Sequence, residues 1–212
     1  MRGNRSFRLG TRLIAALALV VAVAPPASAK DPISRAAFAA DMRKLWEDHI
    51  TWTRLFLVES AANLPGKEAT TARLLQNQAD IGNAIKPFYG DAAGAKLTAL
   101  LRDHILIAAD LVTAAAAGDT AKKDDANRRW LANADEIAAF LSAANPKAWP
   151  ADATKKMMHD HLQATTEEVV AHLGKDWKGS VAAYDKVHAQ ILHMADMLSS
   201  GIEAQFPQQF KT

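Results

Sequence analysis

Apolar residues recur at three- and four-residue spacing along almost the whole chain, and Gly and Pro break that pattern at only a few places. Such spacing lays one apolar stripe along each of a series of helices. It leaves no stretch with the period of two that a half-buried strand requires, and the abundance of Ala, Leu, Met, Lys and Glu favours helix as well. The breaks are Asn63-Leu64-Pro65-Gly66, Lys86-Pro87-Phe88-Tyr89-Gly90, Gly118-Asp119, Asn145-Pro146 through Trp149-Pro150, and Gly174 to Gly179. Each is a stop or turn signal. They predict six helices, near residues 33–62, 68–86, 92–117, 120–144, 152–173 and 180–204. Short connections make sequential neighbours antiparallel. The expected fold class is therefore all-α: a single up-down bundle of about six helices occupying residues 30–212, with Phe206 to Thr212 as a strap or a frayed end.

The stretch before Lys30 reads differently. Arg2, Arg5, Arg8 and Arg12 precede an apolar run from Leu13 to Ala24, which is followed by Pro25-Pro26 and the small triplet Ala27-Ser28-Ala29. This has the form of a secretory signal peptide, and the run is too short to span a bilayer. The expected location is periplasmic or secreted, with no membrane span after cleavage. Without the four leader arginines, 21 basic residues stand against 23 acidic ones, a balance of about −2. The electrostatic footprint of a nucleic-acid binder is missing. The chain has no Cys, so neither a disulfide framework nor a thiolate metal site is available, and stability rests on burial.

The dipeptide Asp-His occurs at Asp48-His49, Asp103-His104 and Asp160-His161, always mid-helix, with the His residues 55 and 57 apart. Sixteen Asp and seven His in 212 residues would place fewer than one His after an Asp by chance. A second series interleaves with the first: Arg73 to Asn77 parallels Arg129 to Asn133, and a further step of 55 leads to His188. The pattern suggests a helical hairpin of about 56 residues present three times.

Helical geometry turns several of these residues inward. Leu45, His49, Thr53 and Phe56 share a stripe, as do Leu100, His104, Ala108 and Leu111, then Met157, His161, Thr165 and Val169, then Tyr184, His188, Leu192 and Ala195. On the intervening helices Asn77 and Asn133 face inward. The expectation is a core belt of His49, His104, His161 and His188 with Asn77 and Asn133. Asp48, Asp103 and Asp160, about 100 degrees away from their His neighbours, would orient imidazoles of adjacent hairpins or else pair with Arg and Lys at the edge. Two uses fit such a belt. It can bind a transition metal, Zn or Cu by the ligand type, or a small ligand; or it can be a hydrogen-bond network that fixes the register of the hairpins.

Other features point to less. Met157, Met158, His159, His193, Met194 and Met197 bias the last two helices toward copper-type ligands, yet His159 and His161 lie on opposite faces and cannot share a site. Met at helical spacing is ordinary core filler. Trp46, Trp52 and Trp130 fit core or seam positions. No Glu-x-x-His pair, His-Glu-x-x-His, Gly-x-Ser-x-Gly or phosphate-cradling Gly loop is present, and no catalytic residue is expected.

The stretches Leu45 to Arg54, Arg73 to Gly90, Asn133 to Ala138 and Met194 to Pro207 resemble an uncharacterised family of bacterial helical proteins, some exported and some not. That resemblance implies a helical bundle and carries no activity with it. The functional expectation is a non-enzymatic binding or sequestration protein, or an interaction bundle whose core His residues are structural.

Overall fold

The computed structural model describes residues 32–211, and the expected signal peptide lies outside them. Among the described residues the chain is all-helical and contains no strand. Five helices and a short 3-10 turn make up the fold: α1 Arg35–Ala61, α2 Lys67–Ala116, α3 Thr120–Ala144, α4 Ala151–Leu173, α5 Trp177–Gln205 and the turn Pro207–Gln209. None is long and apolar enough to cross a membrane.

Local chemistry sets the boundaries. Ser34 caps α1 by accepting from the Ala37 N–H, Asp119 caps α3 by accepting from Lys122 N–H, and Asp176 caps α5 by accepting from Gly179 N–H. Each supplies an oxygen to a first-turn N–H that has no intrahelical partner. Pro150 ends the stretch before α4, and Gly118 turns the chain into α3 with φ 68.

Five helical elements stand where six helices are expected, because the segments read as a second and a third helix run together through a kink at Gly90 as the two arms of α2. In α2 helical hydrogen bonding resumes directly after Gly90, which alone leaves the helical region, with φ 84 and ψ 169. That conformation is open to glycine and strained for any side chain. The two arms of α2 fold back on each other there. A Cβ placed on Gly82 would lie 2.6 Å from Gly94 O, and one on Gly94 would lie 2.6 Å from Gly82 O, so these two glycines let the arms pack backbone to backbone on either side of the bend. Pro87, just before the bend, has no N–H to give to the ladder and weakens the helix where it must turn.

Each helix packs on the next, α1 on α2, α2 on α3, α3 on α4 and α4 on α5, and α5 returns to α1 to close the ring. The larger apolar core contains Met42, Trp46, Ile81, Trp130, Ile137 and Ile191. Its end is sealed by an aromatic cluster in which Phe88 stacks on Phe210 at 5.5 Å and Phe38 packs against both. The tail is a strap: Ile33 N–H donates to Gln209 O and Lys211 N–H to Ile33 O, tying the two ends of the described chain together. A second, smaller core of Phe56, Leu57, Leu74, Ile105, Val112 and Val169 fills the opposite end. Between the two lies a polar layer.

Candidate functional site

Three imidazoles occupy that layer. His49 from α1, His104 from the second arm of α2 and His161 from α4 are 3, 3 and 4 % exposed. Their ring centres are 6.5 Å apart between His49 and His104, 6.0 Å between His49 and His161 and 6.3 Å between His104 and His161. The triangle is nearly equilateral. Each corner is put there by its own helix's apolar stripe, as in Met42, Trp46, His49 and Ile50 on α1.

Every ring is held by an amide 29 residues further on, on the neighbouring helical segment. His49 Nδ1 lies 3.2 Å from Gln78 Oε1, His104 Nδ1 2.9 Å from Asn133 Oδ1, and His161 Nδ1 3.0 Å from Gln190 Oε1. The orientation of the amides follows from their other ends. Asn133 Nδ2 donates to Leu100 O and Gln190 Nε2 donates to Met157 O, in each case the carbonyl one turn before the His. In the first unit two side chains share this role, for Asn77 Nδ2 donates to Leu45 O, while Gln78 Nε2 donates to Asn77 Oδ1 and Leu74 O. An amide oxygen can only accept, so each Nδ1 carries the hydrogen and each Nε2 is a bare lone pair.

Burial keeps the rings neutral. It pushes His49 and His104 down to about 3 and His161 to about 4, from an ordinary 6.5; repulsion from neighbouring rings adds to the effect at His49 and His104, and the amide bonds pull the other way. The three rings line a cavity of about 20 Å³ together with Trp130, Thr165 and Glu168. Trp130 Nε1–H is buried without a partner.

A buried charged cluster adjoins this cavity. Arg54 donates to Glu168 Oε1 at 2.8 Å and to Ser180 Oγ at 2.7 Å, and its guanidinium lies over the Tyr184 ring. Burial pushes the Glu168 carboxyl up, against the pull of Arg54. One turn after two of the imidazoles, Thr53 and Thr165 donate their hydroxyls to His49 O and His161 O.

Several sequence expectations need correction. His188 is not in the layer: it is half-exposed and pairs with Glu47 Oε1 at 2.8 Å. The buried stripe of α5 runs through Val187, Ile191, Ala195 and Leu198, and His188 sits about 100 degrees around from it. Of the two roles expected for the three Asp residues, orienting imidazoles is not found, and pairing with Arg or Lys at the edge is found for two of them. Asp48 pairs with Lys44 and stands near Arg73, Asp160 pairs with Lys156, and Asp103 is exposed. Asn77 is buried in the layer but supports Gln78 instead of touching His49. His159 pairs with Asp135 on the surface, and His193 is exposed.

Gln78, Gln190, Glu168 and Arg54 are not among the residues that the sequence pattern singles out. A step of 29 residues from His49, His104 and His161 reaches Gln78, Asn133 and Gln190. These amides repeat at the same intervals as the imidazoles. The spacing is therefore present in the sequence, but the amide changes between Gln and Asn, and a comparison of identical residues passes over it.

Zinc bound to three imidazoles at about 2.1 Å brings their ring centres to roughly 5.2–5.6 Å, closer than the separations found. Among the described residues no group of three or more His, Asp or Glu side chains stands in an arrangement that could hold a metal ion. The expected Zn or Cu site is thus not preformed. No family model, curated protein or solved structure matches the chain significantly.

Proposed function

We propose that this chain is an exported binding protein that holds one small ligand at the centre of its bundle, between His49, His104 and His161. A single observation carries the reading: three neutral imidazoles with their Nδ1–H groups committed to amides, hence with bare Nε2 lone pairs, around a cavity of about 20 Å³. A void of that size takes one water-sized species. A core that needed only packing would leave no such set of acceptors, since each buried acceptor without a partner costs about 1–3 kcal/mol.

The site is built as three copies of one helical hairpin. In support of this, each copy joins a His to an amide 29 residues later. Each also returns an amide N–H to the carbonyl one turn before that His. Three like units around one axis present three like groups to one central ligand.

Ligand retention tests the reading: the untagged, chelator-stripped protein is offered zinc, copper, nickel, iron and ammonium salts in turn and followed by calorimetry and thermal melting. Binding of one of them with micromolar or tighter affinity, or a saturable stabilisation, is expected, and both should vanish in His49→Ala and His104→Ala. No response to any of the series would overturn the reading. A second reading, a purely structural network, is favoured by the separate amide that each ring possesses. It expects the same substitutions to cost about 1–3 kcal/mol of stability with no ligand to lose.

A further inference from the structure

We propose that the occupant of the three-imidazole cavity is an ammonium ion held by hydrogen bonds to the Nε2 atoms of His49, His104 and His161. This inference rests on the binding function proposed above and names its ligand.

Spacing is the first argument. The ring centres stand 6.0, 6.3 and 6.5 Å apart. A central nitrogen donating N–H···N hydrogen bonds of about 2.9 Å in tetrahedral directions places three imidazole centres roughly 6.5 Å apart. A coordinated transition metal, with bonds of about 2.1 Å, requires about 1 Å less. Closing that gap is opposed by the amides behind the rings: those of His104 and His161 are themselves tied to the backbone of the His helix, and that of His49, Gln78, is held by Leu74 O and by Asn77, which bonds Leu45 O.

Donor counting is the second. Three acceptors around one cavity of about 20 Å³ call for three hydrogens on one small atom. Ammonium carries four, one for each Nε2 and one for the remaining wall, which includes Thr53, Thr165 and Glu168. Water carries two. It could accept from Trp130 Nε1–H and donate to two rings, leaving one buried Nε2 unmet, whereas ammonium meets all three Nε2 atoms and leaves only the Trp130 N–H without a partner. Potassium, close to ammonium in size, donates none.

Charge is the third. The rings stay neutral because burial opposes their protonation, with repulsion from neighbouring rings adding to it at His49 and His104, so a monocation meets lone pairs and not imidazolium. Glu168 lines the same cavity, and Arg54, which also donates to Ser180 Oγ and lies over the Tyr184 ring, holds the carboxylate in position. His172, also facing Ser180, is held down by burial and by Arg54; it adds no cation near neutral pH.

The experiment compares thermal melting of the full purified chain in sodium, potassium and ammonium chloride at equal ionic strength, and adds proton NMR with ¹⁵N-labelled ammonium. The expected result is a saturable rise in midpoint of about 3 °C or more in ammonium over potassium. A slowly exchanging ¹⁵N-bound proton resonance, shifted from that of free ammonium, should accompany it. His161→Leu should lose both; if that variant does not fold, the comparison of salts on the unaltered chain decides by itself. Equal midpoints in ammonium and potassium with no bound ammonium resonance would overturn the proposal. If zinc or copper then stabilises the chain, the binding function survives with a different ligand. If no ion does, the cavity holds water only and both readings fall.

Discussion

His104 and Asn133 form a closed unit: the ring donates to the amide oxygen at 2.9 Å, and the amide returns its N–H to Leu100 O at 3.1 Å, one turn before the ring on the same segment. The side chain of Asn133 therefore fixes both the position and the tautomer of His104. Asn133→Leu removes the acceptor and leaves the buried His104 N–H without a partner, while Leu100 O keeps only its helical bond from the His104 backbone N–H. Unfolding in urea should show a loss of about 1–3 kcal/mol, the cost of one unmet buried group. Asn133→Asp should act differently, since a carboxylate favours the charged ring. An upward move of the His104 pKa in an NMR titration is expected; an unchanged value would show that the two side chains are not coupled.

The same geometry ranks two residues of α5 that lie close in sequence. Gln190 holds His161 and Met157 O, whereas His188 reaches only Glu47 at the surface. Gln190→Leu should cost about 1–3 kcal/mol. His188→Ala should stay within about 0.5–1 kcal/mol, the range of an exposed pair. Matched urea titrations of the two variants check the ranking, and the reverse order would remove Gln190 from the layer.

What is legible in the sequence follows physical period and composition. The helical class, the breaks near residues 63, 118, 145 and 174, and the inward faces of His49, His104, His161 and Asn133 all follow from apolar spacing. The exceptions have local causes. Lys86-Pro87-Phe88-Tyr89-Gly90 reads as a loop, yet one glycine outside the helical region is enough to reverse the chain, because Gly82 and Gly94 allow the arms to touch. An inward His188 comes from carrying a step of 55 onto a unit that steps by 57, and two positions on a helix are about 200 degrees. Glu168 and Arg54 lie 114 residues apart; nothing in the local pattern of either announces the other.

The bend in α2 is a sharp test of that account. Gly82→Ala would put a methyl group 2.6 Å from Gly94 O and into the side chain of Thr98. Backbone cannot move aside as a flexible side chain can, so the arms must separate along their contact. A loss of about 3 kcal/mol or more is expected, against a gain of at most about 1 kcal/mol of helix propensity from replacing Gly. A variant as stable as the parent would mean that the arms do not meet at these glycines.

Acid should unfold the protein well above the pH at which carboxylates usually protonate. In the unfolded chain the three imidazoles take up protons near 6.5, while in the fold they resist down to about 3 for His49 and His104 and about 4 for His161. Between those limits the unfolded state binds more protons, so stability is full above about 6.5 and falls as pH falls. Each ring contributes about 1.4 kcal/mol per pH unit once past its unfolded value, and three together approach a loss of about 4 kcal/mol per unit. Glu168 acts in the opposite sense, because its raised pKa lets the folded state take up a proton first, but it is one group and acts only near and above the ordinary carboxylate value. Urea midpoints measured from pH 7.5 to 4.5 should be level at the top and drop steeply below 6.5, and His161→Leu should shallow the drop by about one third. Level stability across that range would mean that the rings are solvated, and the dry imidazole layer would have to be abandoned.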